Sequence, residues 1–190
     1  MSNEENKSNT KYIEIRGEFE WAKVFEQNRE REGWKGAYKK HGGATEIDVI
    51  MDRENRDILE DSGSQTKAKK QEDGRYKAKF HRKWEAPFTY GGAPQVAKAD
   101  GTYWDINEDG LIGNGTTGIV FLCVYDTQAG RATRLDGVQV LHHVPYVSDK
   151  EYTPPGPRFK DYSSEVEKEE GPVKKSAYKR TVIEDDELPF

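Results

Sequence analysis

Residues 76–84 read Tyr-Lys-Ala-Lys-Phe-His-Arg-Lys-Trp, and this stretch alternates between two kinds of side chain. In an extended strand, successive side chains point to opposite sides. The pattern predicts a half-buried β-strand with Tyr76 and Phe80 in a core. The opposite side then carries a ladder of four basic groups: Lys77, Lys79, His81 and Lys83.

The same period of two recurs on either side of the basic strand. Residues 12–25 and 45–51 precede it, and residues 115–126 and 132–147 follow it. In the last of these we expect Leu135, Val138, Val140 and His142 to share a face.

The first of the flanking strands has an apolar face that we expect to comprise Ile13, Ile15, Phe19 and Trp21. Gly17 interrupts this face, which predicts a bulge or bend.

One short helix and several loops separate the strands. Asp52 is a suitable N-cap for a helix that runs through about residue 61 and ends at Gly63. Residues 62–73 are a polar linker, and residues 85–114 form a long irregular loop rich in Gly, Pro and Asp. We therefore predict an all-β protein with one short helix and long loops. A five-stranded OB-fold barrel fits this pattern, and a sandwich fits the strand count as well.

Composition limits the class of protein. The chain has 190 residues, of which 33% are hydrophobic and 34% are charged. The longest apolar run has seven residues, whereas a membrane-spanning helix needs about 20. The N-terminus has no apolar segment typical of a secretory signal. Cys123 is the only cysteine, which excludes disulfides and Cys-rich zinc sites; we expect it to be a core thiol.

Charge is segregated along a chain whose net charge is -5. Residues 67–84 carry eight Lys and Arg against two acids, a balance of +6, whereas the last seven residues carry four acids and no base. We expect residues 1–10 to be disordered, residues 11–147 to form the domain, and residues 148–190 to form a flexible acidic tail.

Catalytic and metal-binding motifs are weak. Residues 105–112 imitate the opening of a calcium loop, but Thr116 stands where the bidentate Glu belongs, so a turn-rich loop is the better interpretation. The adjacent His142 and His143 point to opposite faces of a strand. We predict no catalytic residue, no metal and no cofactor.

Aromatic and basic residues also occur together outside the basic strand. Rings can stack on bases while cations contact phosphates. Several like charges on one face of a strand repel each other. The cluster becomes favourable when a phosphate chain binds across it and counterions are released. The candidate nucleic-acid-binding residues are Trp34, Tyr38, Lys39, Lys40, Lys77, Lys79, His81, Arg82, Lys83, Trp84, Arg131 and Arg134.

The C-terminus places acids before an apolar end and a free carboxylate. This arrangement can enter a basic pocket with an apolar floor on a partner, or compete for the protein's own basic groove. The candidate partner-binding residues are Glu184, Asp185, Asp186, Glu187, Leu188, Pro189 and Phe190.

The sequence resembles the single-stranded-DNA-binding proteins of short-tailed bacteriophages, and its C-terminal tip is similar to that of bacterial single-stranded-DNA-binding proteins. The tip shares acids, an aliphatic residue, Pro and Phe with that family. The body shares four ordered stretches: residues 21–25, residues 80–88 with 91–94, residues 100–105 leading to 111–115, and residues 137–140.

The resemblance implies an OB-fold barrel, and it implies a role in phage replication and recombination in the cytoplasm of the infected bacterial host. The partners implied are single-stranded DNA, DNA polymerase and primase-helicase through the tip, and a second copy in a homodimer, with no membrane. It also implies that Lys77 and Lys79 contact DNA. The family usually has basic residues on the strand that matches residues 118–125. This chain has Ile119, Phe121 and Cys123 there instead, which puts DNA contact from this strand in doubt.

Two other functions remain open from the residues. A phage interaction or structural module could use the barrel to bind protein, with the basic strand incidental. A nuclease would need a carboxylate cluster that the sequence does not reveal.

Overall fold

The computed structural model describes residues 9–86 and 90–147, so the predicted tail and its tip at residues 184–190 lie outside the described residues. The described strands are β1 (Lys11–Lys23), β2 (Ala44–Met51), β3 (Lys69–Lys70), β4 (Tyr76–Lys83), β5 (Gln95–Ala97), β6 (Thr116–Thr127) and β7 (Gly130–His142). The helices are α1 (Arg53–Asp61) and α2 (Ile106–Asp109), with 3-10 turns at Trp34–Gly36 and Lys39–His41. No helix in this part of the chain is long and apolar enough to cross a membrane.

The five predicted strands and the predicted helix are confirmed, and the fold adds short elements to them. Asp52 caps α1 by accepting the N–H of Asn55 at 2.9 Å. Short strand β3 lies inside the predicted linker, and α2 occupies the calcium-like segment.

The strands form one mixed sheet in the order β3-β4-β2-β1-β6-β7-β5, in which only β5 and β7 pair in parallel. Strand β1 pairs with β6 along residues 11–19 and with β2 from Glu18 onward. Strands β4 and β7 are not ladder neighbours, yet they contact each other. Arg82 joins them through a 2.9 Å ion pair with Asp136, so the sheet curls back on itself.

The core lies inside this curl. Phe80 is 1% exposed, and Tyr76 packs against the core with the Arg56 guanidinium 4.8 Å above its ring, which confirms the inward face predicted for β4. The other large core side chains come from all the long strands and α1: Ile15, Phe19, Ile47, Met51, Leu59, Val120, Leu122, Leu135 and Val138.

Trp21 does not lie on the predicted apolar face. The register of β1 against β2 shifts between Glu20 and Lys23, and Trp21 has a φ of 51°. This bulge reverses the alternation, so Ala22 and Val24 point inward while the Trp21 side chain is 59% exposed. The prediction was wrong because period two fails wherever a residue is inserted.

The last predicted strand is also shorter than expected. Strand β7 ends at His142, whose side chain is exposed, and residues 143–147 follow as loop. A register shift opposite Phe121 and Leu122 explains why Leu135 and Val138 both point inward although they are three positions apart. A second register shift, between Thr117 and Gly118, inserts Leu141, so the exposed His142 does not share the buried face predicted for it.

Cys123 is buried, but outside the core cluster. It is 3% exposed and pairs in register with Tyr12 on β1 and Arg134 on β7, on the face opposite Leu122 and Val124. Burial raises the pKa of the Cys123 thiol.

Two glycines allow the sheet to curl tightly. Gly17 of β1 and Gly118 of β6 are register partners. A Cβ at Gly17 would lie 2.4 Å from the Ile50 carbonyl oxygen, and one at Gly118 would lie 2.2 Å from that of Gln139. Gly17 thus marks a close approach of two backbones rather than a bulge, which occurs four residues later at Trp21.

We expect Gly118→Ala to lower the free energy of unfolding by about 1–3 kcal/mol, because a new methyl group would collide with backbone that cannot yield easily. Urea denaturation followed by tryptophan fluorescence measures this change. Thr117→Ala, on the exposed side of the same strand, is the matched control. An unchanged midpoint for Gly118→Ala would show that the sheet tolerates a side chain at this position.

Candidate nucleic-acid interface

A groove on the outer side of β3 and β4 gathers four lysines. Strand β3 pairs with β4 so that Lys69 lies opposite Lys77. The groove has a volume of about 300 Å³, and Lys67, Lys69, Lys77 and Lys79 line it together with Asp48. We call these five residues the lysine groove.

Carboxylates lie beneath two of these lysines. Lys77 Nζ is 2.6 Å from Glu20 Oε2 and 3.1 Å from Asp48 Oδ2. Lys79 Nζ is 3.1 Å from Glu46 Oε1. The hydrogen bond to Glu20 raises the pKa of Lys77. The predicted ladder therefore exists, but two of its lysines, Lys77 and Lys79, are held by acids from β1 and β2.

Those acids depend on the lysines in turn. The side chains of Glu46 and Asp48 are only 8% and 11% exposed. Removing one partner of a buried ion pair costs about 3–5 kcal/mol, because the other charge remains buried and uncompensated. Asp48 Oδ1 accepts no hydrogen bond from any described residue and lies 3.7 Å from Lys79 Nζ. Lys77 and Lys79 thus contribute to stability as well as to surface charge.

Lys67 and Lys69 are different, because both are exposed and neither forms an ion pair within residues 9–86 and 90–147. Our choice of site residues missed them, although the run of positive charge begins at Lys67. Interpreting residues 62–73 as a linker hid that these side chains lie beside β4.

His81 and Tyr38 contact each other at the end of the groove. Their ring centroids are 5.7 Å apart. Burial, followed by the nearby Lys83, lowers the pKa of His81, so the ring is neutral at pH 7. Burial, followed by the negative charge of Glu46, raises the pKa of Tyr38 to about 12. Both side chains therefore contribute uncharged ring surface, and no charge, to the candidate interface.

Trp34 is the best-placed ring for stacking. Its side chain is 83% exposed on the loop between β1 and β2, with Lys35 Nζ 5.8 Å from the ring. Trp84 is half-buried, and the Arg29 guanidinium lies 4.4 Å from the centre of its ring and covers one face of it.

The remaining predicted lysines are exposed. Lys39 pairs with Glu32 at 3.4 Å, whereas Lys40 and Lys83 have no ion pair with any described residue. Lys39 and Lys40 lie on the same loop as Trp34, and the loop is attached to the end of β4 by a 3.0 Å bond from Trp84 N–H to the Gly43 carbonyl. The structure therefore brings these lysines, Trp34 and the end of the basic strand to one end of the sheet.

The three predicted arginines mainly join parts of the fold. Arg82 bonds to Asp136 and to the Gly91 carbonyl, at 2.9 and 3.0 Å. Arg134 also binds Asp136 and lies 4.6 Å from the Tyr90 ring. Arg131 donates to the Asn9 carbonyl at 2.7 Å, at the opposite end of the sheet from Trp34.

The calcium-like segment uses its acids internally. Asp105 caps α2 by accepting the N–H of Asn107 at 2.9 Å, and Asp109 pairs with Lys98 at 3.0 Å. Across the part of the chain that the structure describes, no three His, Cys, Asp or Glu side chains gather to hold a metal.

A curled, mainly β sheet with a basic groove and an exposed ring on the adjacent loop is an architecture found among nucleic-acid-binding barrels. Two solved phage proteins share the fold. The single-stranded-DNA-binding protein gp2.5 encoded by bacteriophage T7 is 14% identical, with a TM-score of 0.52 over 87% of this chain and 100% of that chain. The single-stranded-DNA-binding protein from bacteriophage Enc34, solved in complex with single-stranded DNA, is 12% identical, with a TM-score of 0.50 over 72% and 89%.

The chain is therefore structurally similar, over most of its length, to phage single-stranded-DNA-binding proteins, and the match to gp2.5 implies an OB fold. The structural resemblance expected from the four sequence stretches is confirmed at the level of the fold. No protein-family model matches the sequence, and no curated protein does.

Glu30 fixes the start of the loop that carries Trp34. Its carboxylate pairs with Lys23 and accepts the N–H groups of Gly33 and Glu32, each at 3.3 Å. The hydrogen bond from Lys23, with those two N–H groups, lowers the pKa of Glu30 from 4.5 to about 2.

We expect Glu30→Gln to be less stable than the wild type at pH 7 and the difference to vanish in acid. The pKa of Glu30 is lower in the folded state, so its stabilisation is complete above about 4.5 and is lost as the pH falls towards about 2. Urea denaturation between pH 2 and pH 7 measures the difference. Glu72→Gln, which removes an exposed acid without an ion pair in the described structure, is the control. A difference that stays constant with pH would exclude this electrostatic origin.

Proposed function

We propose that the chain is a non-enzymatic single-stranded-DNA-binding protein of phage replication and recombination, which coats exposed single strands. The observation that carries the proposal is that β4 carries the lysine groove on its outer side and is bonded at its end to the loop of the exposed Trp34. The groove lies on β2 and β4, the second and third long strands, and Trp34 lies on the loop between the first two. OB folds bind oligonucleotides on this face and with this loop.

Phosphates would contact Lys67 and Lys69 first, because these ammonium groups have no competing carboxylate among the described residues. The ammonium groups of Lys77 and Lys79 would each interact both with a phosphate and with the carboxylates beneath them. Together with the Glu20 and Glu46 carboxylates beneath it, the lysine groove sets four ammonium groups against three carboxylates, a local net charge of about +1.

Bases would stack on Trp34, because a stacking ring accepts every base and gives little sequence preference. Lys39, Lys40 and Lys83 would guide the backbone past this ring. His81, Arg82, Trp84, Arg131 and Arg134 would act mainly through the fold, given their neutral state or internal partners.

The acidic tip, Glu184 to Phe190, would recruit replication proteins such as DNA polymerase and primase-helicase. It would also occupy the basic groove when DNA is absent. The roles of the tip are proposed from its sequence alone. Homodimer formation is proposed from the family resemblance alone. The described structure contains neither the tip nor a second copy.

We expect the double variant Lys67→Gln, Lys69→Gln to bind single-stranded DNA more weakly while remaining as stable as the wild type. Each lysine–phosphate ion pair that is lost should reduce the slope of log affinity against log salt by about 0.7, which is about 1.4 for the double variant. Titration of oligothymidylate and of a duplex, at several salt concentrations, measures both effects. Arg16→Gln with Arg53→Gln removes the same charge from exposed positions elsewhere and is the matched control.

Weakening of equal size in both double variants would indicate a general charge effect rather than a groove. Absence of binding to single strands at low salt would overturn the function and favour a barrel that binds protein.

Deleting residues 184–190 should leave DNA affinity unchanged or raise it, because the four acidic side chains of the tip would no longer compete for the groove. The same deletion should abolish capture of a phage polymerase by the DNA-bound protein. Substituting Phe190→Ala alone is the control that keeps all charges. A fall in DNA affinity after the deletion would contradict competition by the tip.

A further inference from the structure

A second cleft, with a volume of about 410 Å³, lies at the end of β1. Trp21 and Lys23 form one side, and Tyr146 and Val147, which follow β7, form another. The loop before β6 completes it through residues 111–114. Its lining contains one basic side chain, that of Lys23, and no acidic one. It is therefore less charged than the lysine groove.

The ring of Trp21 is presented to this cleft at an energetic cost. Its φ of 51° lies in the left-handed region, which a bulky residue rarely adopts. The strain is held by the bulge and by a 2.9 Å hydrogen bond from Trp21 N–H to Asn114 Oδ1. In this conformation the Trp21 side chain is 59% exposed. Burial in the core therefore does not offset the energetic cost of the strained backbone. Strain of this kind is typical of functional sites.

The cleft also offers hydrogen-bond donors. Among the described residues, the indole N–H of Trp21, the hydroxyl of Tyr146 and the side-chain amide N–H groups of Asn114 have no partner. Tyr146 is 52% exposed. Flat apolar walls with donors at the rim match an unpaired nucleobase, whose faces stack and whose carbonyl oxygens accept hydrogen bonds.

An ion pair connects this cleft to the loop that carries Trp34. Lys23 lines the cleft and pairs with Glu30, whose carboxylate accepts the N–H of Gly33, the residue before Trp34. The Lys23–Glu30 pair thus links the end of β1, which carries Trp21, to the loop that carries Trp34.

We propose that Trp21 and Tyr146 bind a second unpaired base of the strand whose other bases stack on Trp34. The proposal rests on the proposed function and extends it, because it assigns a nucleobase site outside the lysine groove. The strand then passes over the Lys23–Glu30 pair, around the end of the sheet.

The test uses Trp21→Gly, because glycine adopts a positive φ without strain. We expect this variant to be as stable as the wild type or more stable. We expect its affinity for oligothymidylate, measured by anisotropy of a labelled strand, to fall about 5- to 150-fold, the loss of one stacked base. Tyr12→Ala, which removes a 76% exposed ring from the other half of β1, should leave the affinity unchanged.

A second measurement keeps the test independent of folding. Full-length wild-type protein is photocrosslinked to oligothymidylate containing 5-iodouracil, and the crosslinked peptides are mapped. Crosslinks to Trp21 or Tyr146 support the proposal. Binding with crosslinks only at Trp34 and the lysine groove overturns it and leaves the proposed function intact, as expected if the cleft binds a protein. Absence of any binding to single strands overturns both. A Trp21→Gly protein with reduced stability but full affinity assigns the ring to packing.

Discussion

An ion pair between Arg82 and Asp136 joins the two strands at which the sheet curls back on itself. Strands β4 and β7 share no backbone ladder, so side chains join them. The two side chains are only 12% and 26% exposed, and Arg134 shares the same carboxylate. A pair in this environment is costly to break, since each charge would remain partly buried alone. The outer side of β4 carries the lysine groove, and its end is bonded to the loop of Trp34. Both parts of the candidate interface therefore depend on this closure.

The same curl explains which parts of the fold could be predicted from sequence. Alternation along a strand is a local property, so the five long strands, the cap at Asp52 and the burial of Phe80 followed from the sequence. Which residues face each other across strands is not local. Nothing near Lys77 in the sequence indicates that Glu20 and Asp48 would lie beneath it. The bulge at Trp21 was hidden for the same reason, because only the shift in pairing with β2 reveals the inserted residue.

The sequence indicated which region carries the candidate site. It did not indicate which basic residues there hold the fold together and which remain accessible. The run of positive charge and the choice of Trp34 as a candidate both came from composition and context, whereas the exposure of Trp34 is a result of the structure. Arg82 was grouped with the basic strand because of its charge, although alternation puts it on the same side as Phe80, where it pairs with Asp136 of β7. Lys67 and Lys69 were missed because a two-residue strand leaves no periodic signal. The structure thus divides the basic residues into those that hold the fold and those that remain accessible.

The burial of Cys123 has a practical consequence. A thiol whose pKa is raised by burial is a poor nucleophile at neutral pH, and Tyr12 and Arg134 flank it in register. A cysteine introduced in place of an exposed residue, such as Lys67 or Lys40, would therefore react with a maleimide dye far faster than the native one. The chain can be labelled at a chosen surface position without first removing its own cysteine, which makes it well suited to single-molecule fluorescence.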